Sequence, residues 1–372
     1  MDFDLTGDQK LIQESIREFL QKECPYERVK ELEENERGYD PDLWRKMAGL
    51  GYLGIAFPEE YGGTGGSFIE LMIVAEELGK AACPSPFFST IIQCSLLILE
   101  AGAEAQKRDL LRGIASGDLI LALAQYEEDG SYLPYSVNLR AERDGRRLVL
   151  NGTKMFVKDA NIADKFIVVA TGPESGVSLC LAGAREPGIA ISKMPTIGMD
   201  NTCEVVFKNV RIDMDDIVGQ VGKGGEPIEK TTIKATLVKC AEMIGGCKAC
   251  IDMTAAYAKQ RKQYGAPIGS FQIIQHYMAD MLLAYDTSYN YLYKVGWMTE
   301  QGMDCADETS ALKACINKNY KFIAAKAVQI HGAIGTTREG NVGLYYRRAK
   351  SMEYEMGDTS FHYEKIAHAL LG

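Results

Sequence analysis

The stretch RRLVLNGTKMFVKDANIADKFIVVA (146–170) changes the character of the chain and decides its fold class. Its apolar residues come in short runs rich in β-branched side chains, and Gly, Asn and Asp separate these runs. Where the stretch begins, the segment ERDGR (142–146) places an Asp-Gly pair between two alternating runs, which is the pattern of a β-hairpin. Similar runs continue on both sides, so residues 119–218 are predicted to form an antiparallel β domain.

Residues 1–118 have the pattern of a helical domain. Thr6 precedes a run of apolar side chains at helical spacing and is expected to cap a first helix. Asp40 is expected to cap a second, short helix that has Pro41 at its first position. Ser67 ends a glycine-rich loop and is expected to cap the helix that follows it.

Residues 219–372 return to helical spacing. We expect helices of bundle length joined by short loops, which implies antiparallel neighbours, and a short terminal helix after Gly357 and Asp358. The chain therefore runs helical, β, helical without alternating βα units, so a doubly wound dinucleotide-binding sheet is not expected. The prediction is an α+β multidomain protein with domains at 1–118, 119–218 and 219–372.

Composition narrows the class of protein. The chain has 372 residues, a formal net charge of −10 and no long basic run, so nucleic-acid binding is not expected. Its 10 cysteines lie scattered in apolar surroundings, which is typical of reduced thiols. No apolar run reaches the ~18 residues of a membrane span, and residues 1–10 lack the features of a signal peptide. These features predict a soluble, acidic, cytoplasmic protein.

Isolated motifs are weak indicators in this chain. Cys247 and Cys250 form the tightest cysteine pair, with Cys240 nearby, but no second such pair accompanies them. We interpret them as small core residues at a close helix contact and expect no metal site. The aromatic series from Tyr285 to Trp297 is interpreted as packing rather than a site.

Six separated segments together resemble the acyl-CoA dehydrogenase family, in the family's order and across nearly the whole chain. They are LGIAFPEEYGGTGGS (53–67), NGTKMFVKDANIAD (151–164), GMDNTCEVVFKNVRI (198–212), YAKQRKQYGAPIGSFQIIQHYMADM (257–281), AVQIHGAIGTT (327–337) and RRAKSMEYEMGDTS (347–360). The resemblance implies a helical N-terminal domain, a middle antiparallel β domain and a C-terminal four-helix bundle. It also implies FAD, bound where the β domain meets the bundle and completed by a neighbouring subunit.

The resemblance carries FAD-binding roles to particular residues. Arg261 matches the arginine on the FAD pyrophosphate, where a guanidinium makes charge-assisted contacts, although it also fits a solvated cation at a helix end. Gln263 and Tyr264 lie in the same motif as Arg261, and Gln329, Gly332 and Gly335 match the segment on which the partner's adenosine lies. The positions along the flavin ring, where backbone groups and the aromatic ring of Phe156 would contact the isoalloxazine, are Gln125, Tyr126, Glu127, Phe156, Val157 and Lys158. Gly332 fits a simple helix cap equally well.

The reaction of the family is the α,β-dehydrogenation of an acyl-CoA thioester. A carboxylate takes the α-proton while the β-hydride passes to the flavin, and an electron-transfer flavoprotein then receives the electrons. The family's usual base is a Glu that follows an Arg-x-Ala-Lys motif, and Met356 occupies that position here. Other members place the base on the first long C-terminal helix, where the matching position is about Ala235.

Three carboxylates remain as candidates for the base, and we favour Glu242 ahead of Asp358 and Glu355. Glu242 lies on the first long C-terminal helix, but it also fits an ion pair with Lys239 or Lys248. Asp358 is near the usual position in sequence, whereas Glu355 requires a local backbone shift.

The resemblance also implies partners. We expect a homo-oligomer, a dimer or a homotetramer, and the variant ending resembles a branch that acts on cyclic, dicarboxylic or steroid-type acyl-CoAs with two unlike subunits. We therefore expect oxidation of a cyclic or carboxylated acyl-CoA. The alternatives are a non-catalytic FAD-binding subunit of a hetero-oligomer, or a flavin enzyme that reduces an acyl-CoA or eliminates from it.

Overall fold

A computed structural model describes residues 4–172 and 176–372 of the chain. Its α-helices are α1 (Gly7–Glu23), α2 (Tyr26–Glu34), α3 (Pro41–Gly49), α4 (Phe68–Lys80), α5 (Leu96–Ala101), α6 (Glu104–Ala115), α7 (Gly225–Gln260), α8 (Gln272–Glu300), α9 (Ala306–His331), α10 (Val342–Met352) and α11 (Thr359–Leu371). Its strands are β1 (Leu121–Ala124), β2 (Arg140–Asp144), β3 (Arg147–Lys158), β4 (Lys165–Thr171), β5 (Val177–Gly183), β6 (Ile189–Lys193), β7 (Thr202–Asp213), β8 (Lys262–Gln263) and β9 (Ala266–Pro267).

The predicted helix caps are confirmed. Thr6 and Gln9 form a capping box at the start of α1, because each side chain accepts a hydrogen bond from the other residue's backbone N–H. Ser67 begins α4 in the same way, and Asp40 accepts from two backbone N–H groups at the start of α3. The sequence missed α2, in which only Val29 and Leu32 are buried apolar residues, too few to give a helical period.

The strands of the middle region form one sheet in the order β1-β4-β2-β3-β7-β6, with β5 also paired to β4. The predicted hairpin is confirmed, since Asp144 pairs with Arg147 across a two-residue turn in which Gly145 has φ +62°. The sheet is antiparallel except where β4 pairs with β1 and β2, and these two pairings are parallel. The β2–β3 hairpin separates β1 from β4 in the chain, which gives room for the crossover that parallel pairing needs.

The described residues form two compact units. The first takes the described residues up to Glu31, together with Ser67–Cys83 and Thr236–Gly372. The second takes Leu32–Gly66 and the described part of Pro84–Ala235, which includes the sheet β1–β7. The core of the sheet is formed by residues such as Phe166 and Phe207, whose rings meet edge to face with centroids 6.2 Å apart.

In the first unit, α4 and α7 cross with their backbones in near contact. A Cβ atom on Gly79 would lie 1.9 Å from the carbonyl oxygen of Glu242, and one on Gly245 would lie 1.9 Å from that of Glu76. Glycine is therefore required at both points of the crossing. Cys247 follows shortly after on the same helix with a buried side chain, in keeping with the interpretation of this segment as a close helix contact.

Two absences hold for the part of the chain that the structure describes. There, no group of at least three His, Cys, Asp or Glu side chains is placed to hold a metal ion. Among the same residues, no helix combines the length and the apolar character that crossing a membrane requires.

A buried carboxyl beside the helix crossing connects α4 to the aromatic series on α8. Tyr293 Oη donates to Glu76 Oε2 at 2.8 Å, and the ring of Tyr293 lies 4.7 Å from that of Tyr289. Burial raises the pKa of Glu76 to about 7, although the hydrogen bond from Tyr293 opposes the rise. The aromatic series thus packs in the first unit and solvates this carboxyl group.

We predict that Glu76→Gln stabilises the protein increasingly as the pH rises. Because the folded state raises the pKa of Glu76 above its unfolded value, the folded state holds the proton more tightly, and the contribution of Glu76 to stability is lost as the pH rises through about 7. The amide of the substituted side chain would stay neutral and still accept from Tyr293. From about pH 5 to about pH 8 the unfolding free energy of the variant should gain on the order of 2 kcal/mol over wild type.

Urea titrations at several pH values measure this difference, with Glu364→Gln as the control because Glu364 is exposed on α11. A difference between Glu76→Gln and wild type that stays constant over this pH range would contradict the prediction.

Candidate functional site

The turn between α10 and α11 carries the segment that resembles the family's catalytic ending. Met356 and Gly357 both have left-handed backbones, with φ +61° and +103°. A Cβ atom on Gly357 would lie 2.6 Å from His362 Nε2, so only glycine fits there. The match of Gly357 to the family's glycine therefore rests on a local backbone requirement.

Buried polar side chains hold this turn in place. Lys313 Nζ on α9 donates to the carbonyl oxygens of Met352 and Glu353 at 3.1 and 3.3 Å and to Asn317 Oδ1 at 2.5 Å. His362 Nε2 lies 3.0 Å from the carbonyl oxygen of Met356. Burial lowers the pKa of Lys313 to about 8 and that of His362 to about 4. The imidazole is therefore neutral, and its Nε2–H donates to the Met356 carbonyl.

Two of the three candidate carboxylates meet on one lysine. Lys239 Nζ lies 2.6 Å from Glu242 Oε2, three residues further along α7, and 2.8 Å from Glu355 Oε2 in the turn. We call these three residues the lysine bridge. The Lys239 side chain is 4% exposed, whereas those of Glu242 and Glu355 are 20% and 15% exposed. Burial alone would lower the pKa of Lys239, but the two carboxylates outweigh it and raise the pKa.

The third candidate, Asp358, has a structural role. It is the N-cap of α11, and its carboxylate accepts from the backbone N–H of Phe361 at 2.8 Å. Met356 itself is buried and carries no group that could accept a proton. The sequence also suggested Lys248 as an ion-pair partner for Glu242, but Lys248 is hydrogen-bonded to Asp252 on the same helix.

In the second unit, a buried lysine ties the 125–127 segment to β3. Lys154 Nζ donates to the carbonyl oxygen of Gln125 at 2.9 Å and to Glu127 Oε1 at 2.6 Å. The next residue, Met155, donates its N–H to the carbonyl oxygen of Tyr126. Burial raises the pKa of Glu127, but Lys154 and two backbone N–H groups outweigh it, so the pKa is lowered. Glu127 therefore stays ionised inside this unit.

The end of β3 carries the residues assigned to the flavin ring. Phe156 has φ +56° and a side chain that is 47% exposed, at an irregularity in the pairing of β3 with β7. Val157 is buried, and Lys158 forms an ion pair with Asp200. The left-handed backbone turns the large ring of Phe156 outward, which suits an aromatic wall for a planar ligand.

The residues that the resemblance assigns to the FAD pyrophosphate lie at the end of α7. Arg261 precedes a short hairpin, β8–β9, and its carbonyl oxygen accepts from the backbone N–H of Ile268 at 2.8 Å. Its guanidinium is exposed and has no ion pair among the residues that the structure describes. Gln263 is exposed, and Tyr264, at φ +51°, is 96% exposed. These side chains are therefore available to a phosphate group.

The residues that the resemblance assigns to the adenosine lie at the end of α9 and just after it. Gln329 is exposed on its last turn, and Gly332 caps the helix with φ +65°. The cap alone accounts for glycine at 332. Gly335 is buried, and a Cβ atom there would lie 2.8 Å from the carbonyl oxygen of Val328.

The sequence missed the lysines that organise both sets of residues. Lys154, Lys239 and Lys313 are almost completely buried, and each binds an oxygen atom at the candidate site. Lysine inside an otherwise apolar run was the available signal, because a buried lysine is rare unless it is paired. The sequence suggests Lys239 only as a partner for Glu242, because its contact with Glu355 depends on the tertiary fold.

Comparison with known proteins identifies the family. Its models match the chain in three parts: the acyl-CoA dehydrogenase N-terminal domain at residues 6–118, the middle domain at 122–210 and the C-terminal domain at 223–371. YngJ, a probable acyl-CoA dehydrogenase of Bacillus subtilis, is 32% identical, and the match covers 100% of both chains.

Solved structures have the same fold. The butyryl-CoA dehydrogenase of Megasphaera elsdenii superposes with a TM-score of 0.92 at 26% identity, covering 100% of both chains. A chain of the ChsE4-ChsE5 complex of Mycobacterium tuberculosis also gives 0.92 at 26% identity, covering 100% of this chain and 99% of that one.

This chain belongs to the acyl-CoA dehydrogenase family, as the resemblance of the six segments predicted. It is an oxidoreductase that acts on acyl-CoA, and its cofactor is FAD. The residues present fit that cofactor, since the exposed Arg261 suits a pyrophosphate and the half-exposed Phe156 suits a flat ring. The predicted fold class is confirmed as well.

We predict that Lys154→Met lowers the unfolding free energy by about 3–5 kcal/mol, because it leaves the buried Glu127 carboxylate without its cation. Urea unfolding measures the loss. Lys208→Met, on the exposed side of β7, is the matched control and should change little. Adding Glu127→Gln to Lys154→Met should recover part of the stability. A single variant as stable as the control would show that the buried pair does not hold the segment.

Proposed function

We propose that this chain catalyses the FAD-dependent α,β-dehydrogenation of a neutral, cyclic acyl-CoA, and that a carboxylate of the lysine bridge is its base. The observation that carries the proposal is the meeting of Glu242 and Glu355 on Lys239 beside Met356. The residue at the family's usual base position cannot accept a proton, and the bridge brings the nearest carboxylates together.

The position of the bridge supports a role in proton transfer. Glu355 directly precedes Met356, so its carboxylate departs from the usual base position by one residue. Glu242 reaches the same lysine from α7. Both side chains are partly exposed, while the lysine between them is buried, so the carboxylates are the accessible parts of the cluster. An accessible carboxylate is what proton abstraction needs.

The chain's own groups divide the remaining work. When FAD is bound, it supplies the acceptor for the β-hydride. Arg261 would hold its pyrophosphate, and Phe156 would shield the ring from water. Lys154 fixes the 125–127 segment through the Gln125 carbonyl and Glu127. Lys313 and His362 fix the turn that presents Glu355.

The charges near the turn favour the neutral alternative for the acyl group. Lys239 is already bonded to two carboxylates, and Lys313 to carbonyl and amide oxygens. A third lysine near the turn, Lys321, forms an ion pair with Glu353. Since these three lysines are engaged, a carboxylated acyl chain that approached the bridge would meet its two glutamates. A neutral ring avoids that repulsion.

We further propose a homo-oligomer, a dimer or a tetramer, that passes electrons to an electron-transfer flavoprotein. The resemblance supports both parts, because Arg261 and the segment around Gly332 act across a subunit boundary in the family. The unlike-subunit alternative also has support, since Met356 replaces the usual Glu and a chain of a hetero-complex shares the fold. In that case the homologous partner chain would carry the base.

We expect one of Glu242→Gln and Glu355→Gln to slow flavin reduction by about 100- to 10,000-fold, which is the typical cost of losing a general base. Anaerobic single-turnover mixing with acyl-CoA, followed by absorbance of the flavin, measures the rate at equal FAD content. Glu353→Gln is the matched control, because Glu353 is a buried carboxylate of the same turn that pairs with Lys321 outside the bridge.

If both variants reduce flavin at the wild-type rate, the base lies outside the bridge. Asp358→Asn then tests the remaining candidate. Flavin reduction that appears only when a homologous chain is present would favour the unlike-subunit alternative.

The charges of the bridge predict which acyl group reduces the flavin faster. A CoA thioester of a cyclohexane carboxylic acid should bleach the flavin faster than one of a dicarboxylic acid of similar size, because the latter brings its second carboxylate towards the bridge. The comparison uses the same anaerobic mixing at saturating substrate. Faster bleaching by the dicarboxylic thioester would contradict the neutral-substrate proposal.

A further inference from the structure

We propose that Lys239 is a positioning residue that keeps the base ionised at neutral pH by standing between two carboxylates. This inference rests on the proposed function, since it assumes that Glu242 or Glu355 is the base. Lys239 would touch neither the acyl group nor the flavin, and it would act only through the carboxylate that it holds.

The ammonium group of Lys239 pairs with both carboxylates of the bridge. The Nζ atom of Lys239 is 2.6 Å from Glu242 and 2.8 Å from Glu355, and both distances are those of charge-assisted hydrogen bonds. One carboxylate comes from the same helix and the other from the turn, so the lysine ties the turn to α7. Without it, two negative charges would face each other in a poorly solvated place.

Other charged and titratable groups lie near the bridge on the elements packed against it. They are Cys240 on α7, Lys313, Tyr320 and Lys321 on α9, Arg348 on α10, Glu353 in the turn, His362 on α11, and Glu76 and Glu77 on α4, which crosses α7 at Glu242. Lys313 is the other buried cation that interacts with Glu355, and its ammonium is directed to the Met352 and Glu353 carbonyls. Lys239 is therefore the cation that bonds directly to the two candidate bases.

The sign of the effect follows from the charges. A positive neighbour favours the ionised form of a carboxylate, and a negative neighbour disfavours it. Replacing Lys239 by Met removes the positive neighbour of the base and leaves the negative one. Replacing the second carboxylate by Gln removes the negative neighbour and leaves the positive one. The two substitutions should therefore shift the pH dependence of the reaction in opposite directions.

The test is the pH dependence of flavin reduction in single-turnover mixing with the FAD-loaded enzyme. We expect Lys239→Met to move the acidic limb of the rate profile up by about one pH unit or more. Of Glu242→Gln and Glu355→Gln, the one that retains activity should move the limb down. A purely structural role would lower the rate at every pH without moving either limb.

A combined variant guards against misfolding, because Lys239→Met leaves two buried carboxylates without a cation. Adding Gln at the carboxylate that is not the base removes the repulsion, so this double variant should fold, bind FAD and show a limb near the wild-type position. An unmoved limb in Lys239→Met, or a double variant as shifted as the single one, would overturn the inference. If neither Glu→Gln variant slows the reaction, the proposed base is wrong instead, and that result is distinct from an unmoved limb.

Discussion

Burying lysine is costly unless its ammonium is paired, and that constraint shapes the turn on which the account depends. Lys239 and Lys313 are both almost completely buried in the first unit, and each reaches the same short turn. Lys313 takes the backbone carbonyls, and Lys239 takes the Glu355 carboxylate. The turn can adopt its left-handed path at Met356 and Gly357 because these bonds over-determine it. A carboxylate one residue before the usual base position thus becomes part of a fixed cluster.

The second unit also has a buried, paired lysine, which lies beside the candidate flavin-ring residues. Lys154 is completely buried, and its bonds to Glu127 and to the Gln125 carbonyl hold a strand end next to Phe156. In both units a buried lysine binds oxygen atoms of a segment far from it in sequence: Lys154 binds the 125–127 segment, and Lys239 binds Glu355 as well as Glu242. Because such a cation needs each of its partners, the fold itself fixes the segments that carry the candidate site residues.

Local signals made much of the fold predictable. Thr6, Ser67 and Asp40 cap helices through contacts within three residues, and the Asp-Gly turn before Arg147 pairs neighbouring strands. The family could be predicted because the six segments occur in the family's order along the chain. What escaped prediction depends on tertiary contacts: the pairing of Lys239 with Glu355 joins residues far apart in sequence. The outward turn of Phe156 likewise follows from an irregular strand pairing that no residue pattern announces.

The central claim is that the proton acceptor lies in the lysine bridge. It is tested most directly by an acyl-CoA that carries deuterium at the α-carbon and sulfur in place of the β-carbon, so that proton exchange occurs without oxidation. If the acceptor lies in the bridge, the FAD-loaded wild-type enzyme releases the deuterium into water, and the Glu242→Gln/Glu355→Gln double variant, with FAD still bound, does not. Exchange by that double variant at the wild-type rate would contradict the account.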